Sequence, residues 1–470
     1  MRVATINNSM ISKGQMRMEG KFFLNETSLL CMPLERNADK CVTLETVADV
    51  MNPPVFKRQF CSPTERAVQY FQSSDVNIAS ESSSVFVYKP QAERIKAIVH
   101  KGDILVTGFG TIGNARLISR HQDGVCYANN VARIRTKGEV LNGYIYAFMA
   151  SKYGSAQLNK NASGSVVRYI EAPGIKKVLI PNTRVSFQQE VDDLIQKSAR
   201  LREEAADMLE KSKNLLKEKA GLDNLVSEDY DYYGHRSADR KVSCFSIKQK
   251  EITTTTINAF NYSRRILNTK SKIQSTVPLK EVLLYNDVFS TGSFPRVEVS
   301  GNNGIMLINQ SDIFDAIIKG KRISKRRVKT DNLVEYGEVL IAGVGTLGDS
   351  EKFCHVIFAN EDLVGQLVSG EFIRMKTTKE VTSGYLFAWL DTDYGFRLIR
   401  NTQAGTKLCR PIPRMLLEIP VPLIDSDSMQ EIDRLVREAH TKRYQANCNE
   451  RKAISMVEKE IESWTTSKKN

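Results

Sequence analysis

The run with the most obvious chemical potential is Gly108-Phe109-Gly110-Thr111-Ile112-Gly113, which follows the apolar stretch Ile104–Thr107. Gly-x-Gly-x-x-Gly after a strand is the spacing with which a backbone cradles a dinucleotide pyrophosphate at a helix N-terminus. That chemistry needs a helix to begin at the last glycine and an acid further on to hold the ribose. Asn114–Tyr127 is instead polar and turn-rich, with no helical period and no acid in the right place. The same pattern stands a second time at Gly343-Val344-Gly345-Thr346-Leu347-Gly348. It continues into Asp349-Ser350-Glu351-Lys352-Phe353-Cys354, equally unlike a nucleotide-binding helix. Both runs read as tight glycine turns between strands, where a left-handed backbone is needed.

The other reactive residue types are as sparse. The eight cysteines, at 31, 41, 61, 126, 244, 354, 409 and 448, form no Cys-x-x-Cys pair, and five histidines give no four-ligand metal spacing. Reduced, partly buried thiols are expected, and no metal site. Asn52-Pro53-Pro54-Val55 resembles the Asn-Pro-Pro-aromatic loop that grips an extruded base in amino-methyltransferases. Val55 cannot stack on a base, so this is read as a turn. There is no Gly-x4-Gly-Lys-Ser/Thr phosphate loop, no Ser/His/Asp set and no repeated carboxylate cluster for magnesium. No catalytic centre is expected in this chain.

Charge is more informative. Lys and Arg number 67 against 54 Asp and Glu, a net +13, which favours a polyanionic partner, nucleic acid before anionic lipid. Ile317–Thr330 holds Lys319, Lys321, Arg322, Lys325, Arg326, Arg327 and Lys329. Arg133, Arg168, Arg374, Lys407 and Arg410 complete the set of DNA-binding candidates. Cations release counterions from phosphates regardless of sequence, while base edges supply discrimination. Apolar residues make up 41% of the chain and charged residues 26%, as in folded proteins. No run of about 18 apolar residues is present and Met1–Gly20 is too polar for a signal peptide, so a cytoplasmic protein is expected, with no membrane partner.

The elements that must carry these residues occur twice. Gly102-Asp103-Ile104-Leu105-Val106 returns as Gly337-Glu338-Val339-Leu340-Ile341, at the same offset of 235 as the two glycine runs. Arg133–Gly154 aligns with Arg374–Gly395 at offset 241 with 9 of 22 positions identical, including both Gly-Tyr and both Tyr-Gly pairs. That offset also carries Gly164 onto Gly405, Pro181 onto Pro422 and Gln189-Glu190 onto Gln430-Glu431. Ser74-Asp75 with Ser311-Asp312 is a weaker upstream echo. A duplication of this length implies two domains rather than a solenoid.

Each copy opens with short strand-like runs and closes with a helical stretch, Asn142–Asn159 or Ser383–Asn401. An Ile-Pro exit follows, and then a long amphipathic helix. In the first long helix the 4-3 spacing picks out Val191, Leu194, Ser198, Leu201, Ala205, Met208, Ser212 and Leu215. The second, from about Ser428, offers Ile432, Leu435, Ala439, Ala446, Ala453, Val457, Ile461 and Trp464. The fold class expected is α+β: two tandem mixed α/β domains, at 1–185 and 222–425. Two long helices, at 186–221 and 426–470, are expected to pack as an antiparallel coiled coil. Helices of about 30 residues would span about 45 Å.

In this organisation the chain resembles the DNA-specificity (S) subunits of type I restriction-modification systems. The likeness rests on the duplicated domain, the Gly-Asp/Glu-Ile/Val-Leu strand before Gly-x-Gly-Thr-Ile/Leu-Gly, the Ile/Val-Pro exit and the Gln-Glu-Val/Ile-Asp helix start. It implies that Met1–Thr183 and about Leu222–Asp425 are target-recognition domains, each reading half of a split site in double-stranded DNA. The helices Phe187–Ala220 and Ser428–Trp464 would act as a ruler for about 13 base pairs. It further implies no chemistry in this chain and two modification subunits as partners, which hold S-adenosylmethionine. ATP and Mg would belong to restriction or translocase subunits where these are present. Where each domain starts is left open, since Met18–Phe23 faintly echoes Ile257–Tyr262; that echo would make Ser227–Thr256 a connecting segment. Two other classes stay open on the residues: a non-catalytic adaptor joining partners through its coiled coil, and an S-adenosylmethionine-dependent methyltransferase fragment.

Overall fold

The computed structural model describes residues 8, 11, 25–164, 167–226, 246–300, 304–347 and 352–466. Met18–Phe23, Gly348–Glu351, most of Met1–Gly20 and residues 227–245 of the connecting segment lie outside the described residues. The chain divides into two units: Met1–Glu203 with Gln445–Asn470, and Glu204–Tyr444. The division falls inside both long helices, and each unit contains part of both.

Unit 1 begins with α1 (Glu26–Arg36), whose N-terminus is capped by the Asn25 side chain accepting from Ser28 N at 2.8 Å. There follow β1 (Cys41–Thr43), β2 (Ala48–Met51), β3 (Ala67–Phe71), β4 (Phe86–Tyr88), β5 (Ile104–Thr107), β6 (Ala115–Leu117), β7 (Cys126–Tyr127) and β8 (Val131–Thr136). Then come α2 (Asn142–Ala150), α3 (Lys152–Asn161), β9 (Leu179–Pro181) and the long α4 (Val185–Lys219). The main sheet is antiparallel in the order β2-β8-β5-β6. A second sheet has β3 central, antiparallel to β4 and parallel to β7, and β1 pairs with β9. β5 is buried along its whole length, which is why it reads as a continuous apolar run rather than an alternating one.

Unit 2 repeats the plan with α5 (Arg264–Ser271), β10 (Thr276–Pro278), β11 (Gly304–Ile308), β12 (Lys321–Ser324), β13 (Val339–Ala342), β14 (Val356–Phe358), β15 (Leu367–Val368) and β16 (Phe372–Met375). It ends with α6 (Ser383–Leu390), α7 (Asp393–Asn401), β17 (Gln403–Ala404), β18 (Arg410–Pro411), β19 (Pro420–Pro422) and α8 (Ser426–Thr466). The sheets β12-β11-β15 and β10-β19 match their unit 1 counterparts in order and direction, and β14-β13-β16 matches β6-β5-β8, with isolated bridges in the place of β2. The duplication therefore extends upstream into the region where the two sequences hardly agree. One difference stands out. Ala48 and Met51 pair with Thr136 and Arg133, whereas Leu283 and Phe289 pair with Thr377 and Arg374. The same two rungs are thus spanned by three more residues in unit 2. The extra residues project Tyr285 and Asn286, both at positive φ (66° and 55°).

The single helix expected over Asn142–Asn159 is two, and so is that over Ser383–Asn401. Ser151 and Thr392 break them, and their side chains accept from Gly154 N and Gly395 N at 3.2 and 3.1 Å. Serine and threonine favour such caps over helix interiors. The glycines are required by space: a Cβ on Gly395 would lie 2.5 Å from Trp389 O, and one on Gly154 would fall on Phe148 O.

The buried lines of the long helices depart in part from the expected seam. Val191, Ser198, Ala205 and Ser212 are buried as expected, but the second line is Ile195, Leu209 and Leu216. Leu194, Met208 and Leu215 are only partly buried at its flank, and Leu201 is likewise half-buried. The reason is that the helix faces its partner helix and the globular part at once, which widens the apolar stripe beyond a coiled-coil seam. In α8, Ile432, Leu435, Val457 and Ile461 are all buried. Within unit 1, Ser198 Oγ donates to Ala446 O at 2.9 Å, and Arg202 reaches Asn447 (2.8 Å) and Glu450 (2.5 Å). Tyr146 OH on α2 donates to the same Glu450 at 2.6 Å. Within unit 2, Lys442 pairs with Glu204 at 2.7 Å.

At the position where unit 1 uses Tyr146, unit 2 has Phe387, packed on the ring of His440 at 5.2 Å, with Phe358 at 4.9 Å. Burial drives the His440 imidazole well below its usual pKa, and neighbouring Arg443 adds to this. Folded unit 2 therefore keeps His440 neutral while the unfolded chain takes up a proton below about pH 6.5. Stability should be flat above that pH and fall as pH drops from about 6.5 towards 5. Melting curves across this range check it, and His440→Phe should flatten the dependence. Among the described residues no helix is long and apolar enough to cross a membrane.

Candidate nucleic-acid interface

Several repeated motifs prove to be joints. Gly143 N donates to Asp192 Oδ1 at 2.7 Å and Gly384 N to Asp433 Oδ1 at 2.8 Å, so the aspartate of each Gln-Glu-x-Asp motif caps the helix that begins at each Gly-Tyr. Tyr144 OH donates to Pro181 O at 2.9 Å and Tyr385 OH to Pro422 O at 2.6 Å, tying the same helices to the Pro exits. The sequence reading had these residues as a pattern without a purpose. Their shared spacing was the signal: Gly143 to Asp192 and Gly384 to Asp433 are both 49 residues apart.

The first glycine run is a turn; Gly348, the last glycine of the second, lies outside the described residues. Gly110 and Gly113 stand at φ 72° and 95°, Gly113 N donates to Thr107 O at 3.1 Å, and the chain re-enters the sheet as β6. In the Asn-Pro-Pro-Val segment, Asn52 Oδ1 accepts from Ala172 N at 2.9 Å, and Val55 is exposed. Among the described residues no group of three His, Cys, Asp or Glu side chains converges on a point. Burial pushes the thiols of Cys31, Cys41 and Cys126 up to about 12, which leaves them unreactive.

Two of the proposed DNA-binding cations are interior. Arg374 is completely buried. It grips Glu338 with two hydrogen bonds of 2.8 Å and donates to Asn332 O (2.9 Å) and Leu333 O (2.8 Å). Arg133 is mostly buried and donates to Ile98 O at 2.7 Å, with Asp103 at 3.9 Å. Burial lowers its pKa. Beside it Arg135 makes the two-pronged pair with Asp103, at 2.7 and 2.8 Å. Arg374 and Arg133 hold the strand that precedes each glycine run and face inward, while Arg135 stays half-exposed. The partner acid lies 36 residues from Arg374 in sequence, so only the folded sheet brings the charges together.

The remaining candidates lie on the surface. The basic run forms β12 and the turn after it. Ile323 is buried and Val328 half-buried as anchors, while Lys319, Lys321, Arg322, Lys325, Arg326 and Lys329 are exposed. Lys321 pairs with Glu298 at 2.6 Å, and Arg322 donates to Gly304 O at 3.2 Å. Lys325, Arg326 and Lys329 make no ion pair among the described residues. The side chain of Arg327 lies outside them. Unit 2 as a whole has 35 Lys and Arg against 32 Asp and Glu, so without the seven cations of this run it would be net negative. Its attraction for a polyanion is therefore local. Arg168, Lys407 and Arg410 are exposed on two hairpins beside the glycine turns. Reversing charge at Arg326→Glu with Lys329→Glu should weaken binding to every DNA sequence and cut the salt slope by about two, roughly one per lost phosphate contact. Fluorescence anisotropy at several salt concentrations measures it; an unchanged slope would place this surface away from phosphate.

The chain is thus a duplicated α+β protein with paired long helices and two surfaces of exposed cations. No protein-family model and no curated protein matches it. Among solved structures, it is similar to the type I restriction-modification system S subunit from M. genitalium, at 14% identity and TM-score 0.33, over 91% of this chain and 92% of that one. It is also similar to the HsdS subunit from Thermoanaerobacter tengcongensis, at 13% identity and TM-score 0.27, over 89% and 95%. A chain from a study of type I R-M complex assembly matches at 16% identity and TM-score 0.27, over 90% and 97%. Scores this low carry no weight for function.

Proposed function

We propose that this chain is the DNA-specificity subunit of a type I restriction-modification complex, a non-catalytic protein whose two units each contact one half of a split duplex site. One observation carries the reading. Several of the residues repeated between the units are those that close each globular part onto its helices, as with Gly143–Asp192 and Gly384–Asp433. The segments at one equivalent place differ: β12 and its turn are densely basic and exposed, while the equivalent strand β4 is a partly buried Phe-Val-Tyr after the serine-rich stretch Ser80–Ser84. A shared scaffold with divergent surfaces is what reading two unlike half-sites requires, since base contacts specify and the scaffold only positions. In this reading S-adenosylmethionine is held by two modification subunits, and ATP with Mg by restriction subunits where present.

Genome-wide adenine methylation in the source cell, with and without this gene, tests the proposal. Loss of one gapped motif is the expected result, and an unaltered pattern would refute it. The paired helices would set the gap. Removing one heptad from each should shorten it by roughly three base pairs, read by the same sequencing.

A further inference from the structure

Each unit carries an exposed hairpin at the same place in its fold. In unit 1 Ser163 pairs with Tyr169, and Tyr169 pairs in turn with Phe109 of the glycine turn, their rings stacked at 5.6 Å. Ile170 N donates to Gly108 O at 2.8 Å, so turn and hairpin form one piece. In unit 2, β17 and β18 form the hairpin, and Gly345 and Cys409 exchange hydrogen bonds of 3.2 and 2.7 Å. Both hairpins contain a left-handed glycine, Gly164 at φ 91° and Gly405 at φ 110°. A Cβ at Gly405 would lie 2.5 Å from Leu408 O, and one at Gly164 would fall on Val167 O. The turn is closed so tightly that only glycine fits.

The offset of 241 that maps one glycine onto the other maps Val167 onto Leu408. These two aliphatic side chains are 64% and 54% exposed. One exposed aliphatic residue needs no explanation. Two at the same structural position, of different identity, each close after a left-handed glycine and flanked by exposed cations, do. Arg168 adjoins Val167; Lys407 and Arg410 flank Leu408. Neither Ser163–Ile170 nor Gln403–Pro411 contains an acid; Glu171 follows the first, and Asp349 and Glu351, after the second glycine run, lie outside the described residues. A patch that joins apolar carbon to exposed positive charge matches a DNA groove, where base methyls and acceptor edges lie beneath a phosphate rim.

We propose that these hairpins carry the base-reading residues of the two half-sites: Val167–Tyr169 for one, Lys407–Arg410 for the other. Val167 and Leu408 meet base methyls or sugar edges, and Arg168, Lys407 and Arg410 donate to base acceptors. The basic run of unit 2 holds phosphate and adds affinity without sequence. Because Val-Arg-Tyr stands where Leu-Cys-Arg does, the two half-sites differ in sequence. This inference rests on the DNA-specificity reading above.

The test replaces the gene in the source cell by full-length variants and sequences adenine methylation. Val167→Ala with Arg168→Ala should relax one half of the motif, raising methylation at sites altered in that half by about tenfold or more, with the other half unchanged. Leu408→Ala with Arg410→Ala should do the same to the opposite half. A motif retained in full by both variants would overturn the inference. So would complete loss of methylation in cells where the variant accumulates and melts like the parent, since the hairpin would then serve only general affinity. If deleting the unaltered gene leaves methylation as it was, the proposed function itself has failed and the inference falls with it. That outcome is distinct from a motif that survives the hairpin variants.

Discussion

Replacing Arg374 by Met should destabilise unit 2 by about 3 kcal/mol, because the buried Glu338 carboxyl would keep only Lys376 at 3.9 Å and the Glu335 N–H at 3.1 Å as partners. Both side chains are excluded from solvent, and the guanidinium satisfies two backbone carbonyls as well as the carboxylate. Against a typical domain stability of about 5–15 kcal/mol, such a loss is enough to populate the unfolded unit. The double variant Arg374→Met with Glu338→Leu should recover most of it, since removing both charges removes the desolvation cost along with the attraction. Urea unfolding of the full chain measures both. A loss below about 1 kcal/mol in the single variant would return Arg374 to the surface set. Unit 1 has a similar pair of cations on its acid, Arg135 at 2.7 Å and Arg133 at 3.9 Å from Asp103, but there the close partner, Arg135, is half-exposed. Arg135→Met should therefore cost less, about 1–3 kcal/mol.

Gly384→Val is expected to cost roughly 2–5 kcal/mol, made up of overpacking and a lost buried hydrogen bond. A Cβ there would lie 2.5 Å from Asp433 Oδ1 and 2.9 Å from Asp433 Cα, so the helix starting at Ser383 would have to lift off α8. Gly143→Val should act in the same way, with Asp192 Cα at 3.1 Å from the new atom. Asp433→Ala removes the cap and the 2.7 Å pair with Arg437 but adds no atom, and should cost about 1–2 kcal/mol, which separates the space requirement from the lost side-chain interactions. Thermal melting of the three variants gives the ranking. Equal losses for Gly384→Val and Asp433→Ala would mean that close approach is unimportant.

Both predictions concern residues that the sequence marked by repetition but could not assign. Gly143-Tyr144 and Gly384-Tyr385, the Pro exits and the Gln-Glu-x-Asp starts were visible as matched pairs, and their order was enough for the resemblance to a family. Their partners were not visible, because a hydrogen bond between residues 49 apart leaves no local trace. Arg133 and Arg374 show the reverse error. An arginine inside a strand run carries no sign of its partner in the sequence, and only the acid at the head of the neighbouring strand makes it an interior one. The long helices were legible from their period, yet Leu194, Met208 and Leu215 lie at the flank. A one-dimensional pattern cannot tell a helix that faces one neighbour from a helix that faces two.

The sequence by itself determined that the chain is a tandem duplication, that long helices follow each copy, and that unit 2 carries a dense basic run. Repeats, period and charge are all properties of residue order. Tertiary structure decided that the upstream halves are also duplicated, through strand order rather than identity. It decided too which cations remain in water, and that Val167 and Leu408 share one exposed position beside a glycine turn. Those outcomes depend on which backbones approach closely enough to pair or to exclude a side chain, and strand pairing and close packing join residues that are far apart along the chain.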